Sequence, residues 1–285
     1  MAWSDTRGWR RFKRNRGALV GAGIVTLVVV AAILAPWIAP HPPNETYRSL
    51  TLTRLGVPIG PTRQFPLGAD TVGRCEMSRL IYGARVSLEV AFAATALLAL
   101  VGTLVGLLAG YFGRWLDAAL MRFVDLLTSF PFLLIVMAIN KAVRRPGVWV
   151  IFLVLGLLSW PGLSRQVRAK VLQVRELEYV TAARALGASH ARILFRHILP
   201  NVFSVVVVIS TMLVAEMIIA EAVLSYLGVG VVPPTASWGS MMSEGEALLR
   251  AVPRLLFVPG AAVVVTVVGF NLLGEGLRDA LDPKG

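Results

Sequence analysis

The sequence predicts an all-α integral membrane protein with six transmembrane helices, and three observations carry that prediction. Of 285 residues, 56% are hydrophobic and only 15% charged, too apolar for an ordinary soluble domain of this size. The apolar residues gather into six runs, near 18–39, 88–110, 118–139, 147–164, 202–224 and 256–274, long enough to cross about 30 Å of hydrocarbon. These runs are continuous in Leu, Val, Ala and Ile, without the two-residue alternation that a membrane barrel needs. The net charge of +12 does not point to nucleic acid, because the arginines fall mainly between apolar blocks rather than along one soluble face. Membrane topology and anionic headgroups account for them better.

The first span follows Arg7, Arg10, Arg11, Lys13, Arg14 and Arg16. Its apolar stretch of about 22 residues exceeds the roughly 7–15 of a signal-peptide core, so it reads as an uncleaved helix at 18–39. Six spans put both termini on one side. If that side is the cytoplasm, it receives 17 of the 28 basic residues, including Arg114, Arg122, Arg165, Arg168, Lys170, Arg175, Arg278 and Lys284. Lys141, Arg144 and Arg145 run against the rule in a short external loop, but the dense basic flank of the first span decides the orientation. The expected order is therefore a cytoplasmic segment 1–17, the span 18–39, an external loop 40–87, a five-helix core 88–274 and a cytoplasmic tail 275–285. Within that core, the loop 165–201 faces the cytoplasm and the loop 225–255 the exterior.

In the second span Gly102, Gly106 and Gly110 recur every four residues and line one helix face, where small residues admit a neighbouring backbone. Trp37, Trp149 and Trp160 fall near span ends, as interfacial anchors do. Glu216 and Glu221 are carboxylates on the fifth span, about 140° apart around the helix, and charge inside a membrane marks a functional candidate. Glu216 is the deeper. Two roles stay open for it: lining a translocation path, or pinning helix packing. Glu221 reads as a cap for the loop that follows. Asp125 is expected to pair with Arg122 or Arg165 inside the bundle.

The chemistry that is absent is equally informative. Each of Lys13, Lys141, Lys170 and Lys284 follows a residue other than glycine, so no Walker A phosphate loop exists. No Gly-x-Ser-x-Gly, His-Glu-x-x-His or Cys-x-x-Cys motif occurs, and Cys75 with His41, His190 and His197 has no metal-ligand spacing. An enzyme has nothing to stand on, and no catalytic residue, cofactor or metal is expected.

The segment 178–201 is a long, polar, basic stretch between two apolar runs, where a plain connector needs only a few residues. Its order Ala182-Ala183, Gly187, Leu199-Pro200 resembles the cytoplasmic "EAA" loop of ATP-binding-cassette importer permeases. The likeness extends over about 270 residues. Phe65-Pro-Leu-Gly-Ala-Asp70, Ser78-Arg-Leu-Ile-Tyr-Gly83, Gly110-Tyr-Phe-Gly113, Leu224-Ser-Tyr-Leu-Gly228, Pro233-Pro-Thr-Ala-Ser-Trp-Gly239 and the stretch 271–283 resemble the C-type subunit of the dipeptide/oligopeptide/nickel importers. Thr181 stands where the motif has Glu, His197 where it has Ile, Cys75 where the family has an acid, and Glu275 for the usual Asp.

The resemblance implies the type I importer fold and a heterodimer with a paralogous permease subunit. It also implies two cytoplasmic ATPases that hydrolyse the ATP, and an external binding protein that delivers peptide. Nickel chelates, glutathione or oligosaccharides are alternative cargoes for the same machinery. Glu178, Thr181, Ala182, Ala183, Arg184, Gly187, Arg192, Arg196 and Pro200 would form the ATPase contact, in the cytoplasmic membrane of a bacterium or archaeon. Physically, small alanines give a helix a shallow face, Gly187 allows a sharp turn, and Pro200 ends the loop where the fifth span begins. Arg184, Arg192 and Arg196 could equally hold ATPase acids or lipid headgroups. An ion-driven secondary transporter is the rival, but the broken, inverted repeats it would need are not evident.

Overall fold

The computed structural model describes residues 6–143 and 147–281. Arg144, Arg145 and Lys284, used above to weigh orientation, lie outside the described residues, as do 1–5 and 282–285 of the expected terminal segments and the side chains of Arg7 and Lys141. Among the described residues only helices are extended elements, with two isolated bridges, Leu52–Pro58 and Ala69–Cys75.

Helix α1 (Thr6–Arg14) is basic and leads into α2 (Arg16–Ile33) through Asn15. Asn15 caps α2 by accepting from the Ala18 amide at 3.1 Å and donates to Asp279 at 3.0 Å, which ties the start of the bundle to its end. After α3 (Ala35–Ile38) and α4 (Arg48–Thr51), α5 (Glu76–Phe112) runs unbroken for 37 residues. Helices α6 (Arg114–Thr128) and α7 (Phe132–Ala142) follow, then α8 (Val148–Ser159), α9 (Pro161–Val174) and α10 (Glu178–Ala185). Helix α11 (His190–Arg192), a π-helical stretch at Ile193–Ile198 and α12 (Leu199–Tyr226) form one continuous helical run. The chain closes with α13 (Trp238–Glu246) and α14 (Arg254–Leu281).

The glycine stripe of α5 does what its spacing requires. A Cβ on Gly106 would lie 2.6 Å from the Ser164 carbonyl oxygen and from Val167 Cβ, and one on Gly110 2.7 Å from Val171 Cβ, so α9 lies directly on the stripe. Helices α2 and α14 approach as closely, antiparallel, where Gly21 meets the Gly269 carbonyl. Buried Leu98, Leu107, Leu155, Leu163, Val167, Val202 and Ile218 form the core between α5, α8, α9 and α12.

The bundle has two ends. One carries α1, the C-terminal part of α14 and the segment 175–198, and is called the loop end. The other carries residues 39–75 and α13, and is called the lobe end. The lobe is held by a buried ionic network. Arg79, with no exposed surface, reaches Glu244 at 3.0 Å and Asp70 at 3.3 Å. Arg74 joins both carboxylates, and Arg254 donates to the carbonyls of Ile59, Leu67 and Ala69.

Four helical runs are long and apolar enough to cross a membrane, and with each of two bent pairs counted as one span the expected six result. Several boundaries and placements need correction. The expected span 118–139 is broken between α6 and α7 by 79°, because Pro131 lacks an amide to continue the ladder. The expected span 147–164 bends by 42° at Trp160-Pro161 and continues as helix to Val174, so 165–174 is not loop. Helix α5 starts at Glu76, inside the expected loop 40–87; its first turns are charged, but Arg79 and Glu76 are buried. The expected loop 225–255 contains α13, and α14 runs through the expected boundary at 274 to Leu281. Trp160 is not an interfacial anchor: it is 5% exposed and stacks on Phe123 at 6.3 Å, whereas Trp37 and Trp149 are largely exposed. Asp125 pairs with Arg165 at 2.8 Å, yet both side chains are about half exposed rather than inside the bundle.

Candidate functional site

The segment joining α9 to α12 is built as a rigid shelf. Val180 from α10 and Ile193 from the π stretch are buried in the same core cluster as Val171 and Val174, which fastens the shelf to α9. Helix α10 ends in a Schellman turn. The Gly187 amide donates to the Arg184 carbonyl at 3.0 Å and the Ala188 amide to the Ala183 carbonyl at 3.0 Å, with Gly187 at φ +78°. Ser189 then caps the next turn through the Arg192 amide at 3.4 Å. Glu178 stands in the first turn of α10 and Arg184 in the last, each at the favourable end of the helix dipole.

Of the nine residues singled out by sequence, Glu178, Thr181, Ala182, Arg184, Gly187, Arg192, Arg196 and Pro200 are exposed, and Ala183 is half-buried. They share one shelf. Pro200 does not end a loop, since it lies inside the continuous run from His190 to Tyr226. The preceding turn is π-helical, with the Leu199 amide bonded to the Leu194 carbonyl, and this wider turn gives the proline ring room beside the carbonyl it would otherwise strike. Asn201 Nδ2 donates to the His197 carbonyl at 2.7 Å.

Sequence reasoning passed over the large apolar side chains of the shelf. Leu186 is 88% exposed, Phe195 64% and Tyr179 43%, flanked by Arg184, Arg192 and Arg196. Isolated aromatic and aliphatic residues in an otherwise polar, basic stretch were the available signal. Where the shelf meets the end of α5, Tyr111 Oη lies 2.8 Å from His190 Nδ1. The neighbouring carbonyl of Gly110 accepts from Arg175 at 2.8 Å, and Arg168 grips Asp117 through both carboxylate oxygens.

Glu216 is exposed on a face of α12 that also presents Ile219, Val223 and Leu227, uncovered within the single chain. Glu221 lies on the opposite side, fully buried, accepting from Ser87 Oγ and Ser225 Oγ at 2.7 Å each. Ser225 Oγ in turn accepts from the Val231 amide at 2.8 Å and Ser87 Oγ from the Trp238 amide at 3.3 Å. Glu221 thus anchors the connection from α12 to α13. Among the described residues no group of three His, Cys, Asp or Glu side chains is placed to hold a metal ion.

Residues 102–284 match the family described as the binding-protein-dependent transport system inner membrane component, and residues 2–55 match the N-terminal transmembrane domain of oligopeptide transport permease C. The chain is 39% identical over 280 residues to a putative peptide permease of Brucella ovis, covering 98% of this chain and 90% of that protein. It is 37% identical over 276 residues to a dipeptide transport system permease protein of Alkalihalophilus pseudofirmus, covering 97% and 88%. A glutathione transport system permease protein of Escherichia coli is 41% identical over 276 residues, covering 97% and 89%. Matches of this extent over an all-helical, apolar fold establish a multi-pass transport subunit rather than an enzyme, and the chain belongs to the dipeptide/oligopeptide branch of the ATP-binding-cassette importer permeases.

Proposed function

We propose that this chain is one half of a heterodimeric permease that imports peptides handed over by an external binding protein, with ATP hydrolysed on two partner subunits seated against the shelf 178–201. The observation that carries the reading is the shelf itself. Exposed Tyr179, Leu186 and Phe195 rimmed by arginines, held rigid by buried Val180 and Ile193, have the make-up of a protein interface, apolar anchors within a charged rim. The loop end then faces the cytoplasm, which agrees with the basic helix α1 at that end. The uncovered α12 face bearing Glu216 suits the second permease, with Glu216 toward the path between them.

Relatives named for peptides and dipeptides support a peptide cargo. The relative named for glutathione, itself a tripeptide, supports a second reading of the same site. Uptake of a radiolabelled dipeptide and of radiolabelled glutathione by cells carrying the whole transport system separates the two.

Gly187→Val tests the shelf. A β-branched residue at φ +78° is strongly disfavoured, so the Schellman turn should open and displace α10 while the distant spans stay folded. The expected variant inserts normally, retains little ATPase in co-purification and imports no peptide. Normal ATPase retention and normal uptake would remove the shelf as the ATPase seat.

A further inference from the structure

The hydrogen bond between Tyr111 and His190 joins parts of the chain that the proposed ATPase seat does not by itself connect. His190 begins the helical run after Gly187, and Tyr111 stands one residue from the end of α5. Tyr111 is 7% exposed, and the imidazole meets it edge-on at 5.6 Å while leaning on Phe112 at 5.8 Å. Val180 and Ile193 hold the shelf to the core by apolar packing, and Arg175, just after α9, donates to the Gly110 carbonyl at 2.8 Å; beyond Gly187 the side-chain hydrogen bond to the end of α5, among the described residues, is the one between His190 and Tyr111. A 2.8 Å hydrogen bond fixes distance and angle.

Helix α5 is unbroken for 37 residues, about 55 Å at the α-helical rise, and reaches from this contact to the opposite end of the bundle. There Arg79, in the first turns of α5, is buried between Asp70 of the lobe and Glu244 of α13. Directional polar contacts therefore clamp the same rod at both ends.

We propose that the Tyr111–His190 contact is the joint that passes displacement of the shelf to α5, and through α5 to the lobe at the far end. The two are positioning residues, and the inference rests on the shelf being the ATPase seat. Movement of α10 toward or away from its ATPase carries His190 with it across the Schellman turn. Tyr111 then draws the end of α5, whose glycine face rides on α9.

The test uses the complete permease–ATPase assembly in lipid nanodiscs, with one fluorophore on Arg85→Cys, an exposed position near the lobe end of α5; Cys75, fully buried, escapes the label. ATP with vanadate, which traps the closed ATPases, should shift the fluorescence of the otherwise unmodified assembly. Tyr111→Phe keeps the ring and deletes the hydroxyl, and His190→Ala deletes the imidazole partner. Each should keep its ATPases and lose most of the shift, because deleting one ordinary hydrogen bond moves the equilibrium between coupled and uncoupled α5 about fivefold. His190→Asn places Oδ1 near the position of Nδ1 and should restore it. A full shift in both Tyr111→Phe and His190→Ala overturns the joint, as does loss of the ATPases from Tyr111→Phe, which would make the contact part of docking. Failure of the seat reads differently: Gly187→Val would retain its ATPases and the full shift, and the joint would fall with it.

Discussion

At the lobe end Arg79 lies 3.0 Å from Glu244 with no surface exposed, and between α6 and α9, in the half of the bundle nearer the loop end, Arg165 lies 2.8 Å from Asp125 with both side chains about half exposed. The distances are alike and the consequences are not. The second pair lies on the open surface of the chain, where surrounding groups can take the place of a lost partner, whereas the first is enclosed, and its opening would strand charge among buried side chains. The same contrast separates the glycines: Gly106 is pressed against the backbone of α9, while a Cβ on Gly187 would meet nothing within 4 Å. The lobe end is stitched internally. The loop end leaves apolar and basic side chains outward, as a surface awaiting a partner would.

Arg79→Met should be the most damaging change. It leaves Asp70 and Glu244 with Arg74 alone, and breaking a buried charged network costs about 3–5 kcal/mol. Thermal unfolding in detergent should show a large loss, with tryptic cleavage at exposed Arg48, Arg54 and Arg63 of the lobe; a stability within about 1 kcal/mol of the parent would mean that packing, not charge, holds the lobe. Gly106→Ala comes next. Its Cβ would stand 2.6 Å from the Ser164 carbonyl, so α5 and α9 must part at a cost of about 1–3 kcal/mol, read in the same assay. Asp125→Asn should be smallest, at about 0.5 kcal/mol in the same assay. If it matched Arg79→Met, exposure would not be the property that separates the two ends.

Much of this was legible in the sequence. Apolar runs marked the bundle, the four-residue spacing of Gly102, Gly106 and Gly110 foretold a close helix contact, and Gly187 signalled a turn with positive φ. The bends at Pro131 and Pro161 escaped because a hydropathy window sums apolarity and is blind to direction, although each proline stood in plain view. The first turns of α5 escaped for another reason. Arg79 reads as a loop residue until its partner Glu244, 165 positions away, is brought beside it. Tyr111 and His190 share that blindness, since no local pattern pairs residues 79 apart. Of the nine shelf residues the resemblance supplied positions, while the exposed Leu186 and Phe195 needed the structure, because only burial separates a docking side chain from a core one.

The π stretch at Ile193–Ile198 takes up chain length without a change of angle. A straight α-helix advances about 100° per residue, so one residue added to a plain α segment would turn the Glu216 face of α12 by that angle relative to His190; the wider turn absorbs the residue and keeps the two faces in phase. Removing one residue between 193 and 198 would let the turn relax to α with little rotation, and would take away the room that the ring of Pro200 uses. In this segment the additional residue is what lets a proline sit inside an unbroken helix.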